Sequence, residues 1–177
     1  PSTRISTRKL LLDQTSVRIL DKPPVIPHFE ILPFRGEDRK LLFLLNSNTG
    51  KYTDYPISIL DEDGILITRT ILNQGKELNE KIKFQSDDLI TFYQIFRTDF
   101  QPKDYKDFKK GTMTEISTIF DGKRINAASF IDTIEPNKKY YYTIRSKDVH
   151  GNISNPSIPF EVQIINESGM IYMTSKE

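Results

Sequence analysis

The strongest constraint in this chain is a rhythm of short apolar or alternating runs. Each is of strand length and closes on proline, glycine or a polar cluster, and no amphipathic stretch of about ten residues lies between them. His28-Phe29-Glu30-Ile31-Leu32 alternates and stops at Pro33, while Arg39 to Leu45 is a nearly continuous apolar run that suits a central strand. Ile57-Ser58-Ile59-Leu60, Asp61-Glu62-Asp63-Gly64 and Ile65-Leu66-Ile67-Thr68 read as strand, turn and strand, which is a hairpin. Further strands are expected at Phe92 to Phe96, Thr114 to Phe120, Ala128 to Ile134, Lys139 to Ser146 and Phe160 to Ile165. Such segments satisfy their backbone groups by pairing with one another, so the expected fold is all-β: an antiparallel β-sandwich carrying an inserted β-hairpin. Two tandem domains are the weaker alternative, because each would hold too few strands and too small a core.

A chain of 177 residues suffices for one elaborated domain. Residues 1–22 read as an extended arm or linker. Its first nine residues hold Arg4, Arg8 and Lys9 with no acid, and Val17 and Ile19 alternate with polar neighbours further on. The start without methionine is expected of a fragment or processed product. The sandwich is expected over 23–165, with an insertion at about 50–89, and 166–177 reads as a C-terminal tail leading to the next segment. There are no cysteines and two histidines, which excludes disulfides, thiolate catalysis and multi-histidine metal sites. Lys plus Arg number 25 against 24 Asp plus Glu, a net charge of +1, so no whole-molecule attraction to nucleic acid or anionic membrane is expected. No apolar run approaches the ~18 residues of a membrane span.

Ile134-Glu135-Pro136, followed by Tyr140-Tyr141-Tyr142-Thr143-Ile144-Arg145-Ser146, resembles the turn into the penultimate strand of a fibronectin type III domain. The resemblance covers residues 25–165 loosely and 128–165 well. It implies an immunoglobulin-like sandwich in which Pro136 shapes the corner and the Tyr140 hydroxyl bonds to backbone just upstream. Tyr142, Ile144 and Ser146 would point inward and Tyr141, Thr143 and Arg145 outward. Phe92-Tyr93-Gln94-Ile95-Phe96-Arg97 is similar to the family's third strand, with Tyr93 and Ile95 as its inward pair. Residues 148–157, with Gly151-Asn152, look like the hairpin loop before its last strand. The chain departs from the family in having no tryptophan, so Phe43 or the leucines of 41–45 must fill that core volume. It departs again in the length of 50–89, the place for something specific to this chain.

No convergent set of catalytic groups is legible, so no enzyme activity and no cofactor are expected. Turn chemistry accounts for Asp61-Glu62-Asp63 better than calcium, since the remaining ligands of a calcium loop are missing. Asp87-Asp88 reads as a solvated pair and Arg35-Gly36-Glu37-Asp38 as a plain turn. His150 and Asn152 sit at a loop tip, where they are either turn residues or contact residues. Tyr105 and Phe108 lie among lysines and acids, a solvated face or a platform for a glycan or single-stranded nucleic acid. The sequons at Asn152 and Asn166 acquire meaning only on a secretory route. The expected function is a structural or protein–protein interaction module of a larger assembly, whose partners are other subunits or neighbouring domains.

The resemblance implies cell-surface chains, accessory regions of secreted polysaccharide-degrading enzymes or virion structural proteins. The basic arm Arg4, Arg8 and Lys9 points to the virion, and extracellular or virion placement is expected over a cytoplasmic enzyme. The rival reading is a carbohydrate-binding or spacer module using Tyr52, Tyr55, Tyr105 and Phe108.

Overall fold

The computed structural model describes residues 23–47, 57–73, 75, 77–79, 89–125 and 127–177. Strands β1 (His28–Pro33), β2 (Lys40–Asn46) and β7 (Ala127–Thr133) form one antiparallel sheet in the order β1-β2-β7. Strands β3 (Ile90–Thr98), β4 (Thr112–Ser117), β8 (Lys139–Asp148), β9 (Phe160–Glu167) and β10 (Met170–Lys176) form the second, in the order β10-β9-β8-β3-β4. Every pair in both sheets is antiparallel. The chain changes sheet between β2 and β3, between β4 and β7, and between β7 and β8. The result is an antiparallel β-sandwich of the immunoglobulin-like or fibronectin type III-like class.

The core lies between the sheets. Leu41, Phe43 and Leu45 of β2 meet Tyr93 and Ile95 of β3, Tyr142 and Ile144 of β8, and Val162 and Ile164 of β9, all buried. In the absence of tryptophan, Phe43 occupies the centre. Its ring lies 5.0 Å from that of Tyr142 and 6.0 Å from that of Phe130. At one rim Asp132 of β7 crosses the gap: the Arg97 Nη1 group donates to both its carboxylate oxygens, at 2.8 and 2.9 Å, and Tyr142 Oη donates to one of them.

Two sequence expectations are corrected. Asp61 to Thr68 is no hairpin: α1 (Asp61–Asn73) is a helix of 13 residues. Its three acids, read as turn residues, occupy the first helical turn, where they offset the positive end of the helix dipole. Asp63 reaches back to accept the backbone N–H of Leu60 at 2.8 Å and of Ile59 at 2.9 Å, so it terminates the helix from within. Ile67 and Ile71, four apart, share the face that packs on Val25. The other correction concerns the expected tail at 166–177. Residues 170–176 are β10, paired along its length with β9 through the turn at Ser168 (φ 52) and Gly169 (φ 88). Met173 and Ile171 of β10 pack on the core.

Candidate interaction surface

The two outer faces of the sandwich differ in kind. That of the five-stranded sheet is covered over β3 and β8, while Met113 of β4 and Met170 and Tyr172 of β10 stay exposed at its margins. Asp104 caps a 3₁₀ turn over Tyr105–Lys110 by accepting the Lys106 N–H, and Asp107 accepts the Lys103 and Asp104 N–H groups. Hydrogen bonding from Lys110 and from the Lys103 N–H holds the Asp107 carboxyl down at about 2. This turn drives Phe108 inward against Ile59 and Phe96, with Tyr105, Leu60 and Tyr141 around them. Phe108 is 1% exposed and Tyr105 half-buried, with burial raising the Tyr105 phenol above its ordinary range. The Phe108 ring can join no open aromatic platform, which corrects its reading as a contact residue, while Tyr105 keeps part of its ring at the surface. Tyr52 and Tyr55 lie outside the described residues.

Helix α1 covers the adjoining part of that face and changes the fate of Arg145. Alternation along β8 turns this side chain outward, yet it is 1% exposed. Its Nη1 and Nη2 groups donate to Asp63 at 2.7 and 3.1 Å, its Nε donates to Gln94, and the guanidinium lies 5.1 Å from the Phe96 ring centroid. Thr143, also outward, is buried and donates to the Ser157 carbonyl. The expectation that Arg145 and Thr143 face solvent fails because Asp63 of the insertion covers Arg145 and Ser157, in the segment between β8 and β9, covers Thr143. Lys109 and Asp61 close the seam between the 3₁₀ turn and α1 with an ion pair.

Tyr93, Ile95, Tyr142 and Ile144 are buried between the sheets, and burial pushes the Tyr93 phenol up to about 12. Pro136 lies in the corner between β7 and β8, where the Glu135 N–H donates to Tyr140 Oη at 3.2 Å. The Tyr140 ring lies 5.4 Å from the Arg97 guanidinium and 5.3 Å from Lys138 Nζ. His150 is exposed at its loop tip, and Asn152 is half-buried. Both backbone N–H groups and the Asn152 side-chain amide donate to the Asp148 carboxylate, a buried organiser that sequence reasoning missed. An aspartate two residues before the tip is the signal that could have found it. Arg4, Arg8 and Lys9 lie outside the described residues, as does Asp87-Asp88.

The outer face of the three-stranded sheet is open among the described residues. Its register sets three rows across the strands: His28, Asn46 and Ala127; Glu30, Leu44 and Ser129; Leu32, Leu42 and Ile131. The last row is wholly aliphatic, with Leu32 40% and Ile131 51% exposed. Beside the first two rows runs a groove of about 470 Å³ floored by Leu44 and Ala127 and bounded by Ile125, His28 and Glu30. Ile125 extends a two-residue hairpin of β5 (Ile119–Phe120) and β6 (Lys123–Arg124), whose turn places Asp121 at φ 49 and Gly122 at φ 69. Phe120, at 74% exposure, stands at its tip.

The chain was compared with known proteins. No family model matches it, and no curated protein matches it. A solved myokine structure is similar over 82% of this chain and 99% of that one, at 9% identity and a TM-score of 0.39. The twitchin kinase region from C. elegans is similar over 80% of this chain and 16% of that one, at 15% identity and a TM-score of 0.35.

Proposed function

We propose that this chain is a non-enzymatic, fibronectin type III-like module that joins a larger assembly by protein–protein contact, and that the assembly is a large particle such as a virion. One observation carries the reading. On the outer face of the five-stranded sheet α1 and the 3₁₀ turn cover β3 and β8, and Met113, Met170 and Tyr172 stay exposed at its margins, whereas on β1-β2-β7 Leu32, Leu44 and Ile131 are exposed and Leu42 half-buried with no layer over them among the described residues. Contiguous exposed aliphatic side chains on a sheet are the mark of a docking surface. The basic, acid-free residues 1–9 and the cysteine-free core support the particle reading. The sandwich supplies rigidity, and no chemical step is assigned to it.

Sedimentation of the full chain tests this reading. Leu44→Lys combined with Ile131→Lys changes two exposed side chains, so the melting temperature stays unchanged while self-association is lost. Association that survives both substitutions would overturn the reading of this face. A chain that never associates and binds a glycan instead would replace it with the accessory-module reading.

A further inference from the structure

The groove that runs across β1, β2 and β7 has a charge character that the rest of the open face lacks. Among the described residues Glu30 is the one carboxylate that lines it, no lysine or arginine does, and Glu30 has no ion-pair partner. A lone carboxylate above Leu44, Ile125 and Ala127 suits a cation on an aliphatic stem, with methylenes on the floor and the charged head at the rim. Glu30 also belongs to an outer strand: β1 is hydrogen-bonded to β2 alone among the described strands, so its free edge can accept an extended segment.

The sequence contains a segment of that chemistry. Residues 1–9 hold Arg4, Arg8 and Lys9 and no acid; with these three set aside, 22 of the 25 basic residues remain against 24 acidic ones. The arm is therefore positive and the rest of the chain negative. Arg4 and Arg8 are four apart, the spacing that sets two side chains on one side of an added strand. The chain before Pro23 can span up to roughly 70 Å when extended, enough to reach a neighbouring copy.

We propose that the groove of Glu30 and Leu44 is the receptor for residues 1–9 of a second copy of this chain. The arm runs along the free edge of β1, and its arginines meet Glu30. This inference rests on the interaction-module reading and names the partner of that surface.

A charge exchange in the full chain tests it, read by sedimentation at low and at raised salt. Glu30→Arg alone, and Arg4→Glu with Arg8→Glu and Lys9→Glu alone, should each weaken self-association by about tenfold or more, because like charges then face each other. All four together should restore it, and salt should weaken the wild-type association. The one substituted position on the groove and the three on the arm are all charged residues in the sequence, and an unchanged melting temperature confirms that the fold is intact. Failure of the combination to restore association would overturn the proposal. Association lost in the Leu44→Lys, Ile131→Lys chain but untouched by the charge reversals would overturn the arm as occupant and leave the module reading standing. A wild-type chain that remains single at every concentration would overturn it as well.

Discussion

Arg145 and Asp63 show how much a single buried contact can decide. Each is shielded from water, and their bidentate pairing joins β8 to the first turn of α1 across 82 residues of sequence. Removing one partner strands the other charge, so Asp63→Asn should destabilise by about 3–5 kcal/mol in denaturant melts, whereas Asp63→Asn with Arg145→Met, which keeps an acceptor for the Ile59 and Leu60 N–H groups, should cost less. Equal losses in the single and double variants would show that packing of α1, and not the charge pair, governs this contact. Tyr140→Phe removes the acceptor of the Glu135 N–H and should cost about 1 kcal/mol. At this scale the sequence was informative about direction and silent about cover. Alternation sets Tyr142 and Ile144 on one side of β8 and Arg145 on the other. What lies over Arg145 depends on a residue far away in the chain, and no local pattern reports it.

Among the elements, the strands were legible and the second layer was not. Strands with one buried face announce themselves by alternation, as in 28–32, and a central strand such as β2 by a compact apolar run. Helix α1 misled for a physical reason. Ile65, Ile67 and Ile71 are β-branched and favour strands locally, and Asp-Glu-Asp-Gly is equally good as a turn and as an acidic first helical turn. Tertiary contact with Arg145 and Val25 settles the choice for helix. Strand β10 was passed over because its apolar residues, Met170 to Met173, form a run of four with no polar alternation, and the segment gains its strand form from pairing with β9. The 3₁₀ turn ends at Gly111, where a Cβ would collide with the Arg97 carbonyl and the Thr98 side chain. Gly111→Ala should therefore destabilise by about 2–3 kcal/mol, and a variant as stable as the parent would show that this joint is loose.

Across the whole molecule, the tyrosines tie the sandwich to pH. Burial lifts Tyr93 from 10.0 to about 12, and burial with the Asp132 carboxylate lifts Tyr142 further. Their folded values lie above the unfolded one, so this contribution to stability is fully present below pH 10 and is lost as the pH rises through about 12. Tyrosinate absorbance and loss of β-sheet circular dichroism should rise together over that window, and buried tyrosines that ionise while the sheet signal persists would contradict the assigned core. The architecture also divides the surface: α1 and the 3₁₀ turn cover the middle of one sheet face, and none of the described residues forms a layer over β1-β2-β7. A dilution series followed by amide NMR tests it most directly. Concentration-dependent shifts are expected to be confined to 28–32, 41–46, 125 and 127–133, with α1 and β10 unmoved. Shifts centred on 61–73 or 170–176, with the β1-β2-β7 face silent, would contradict it.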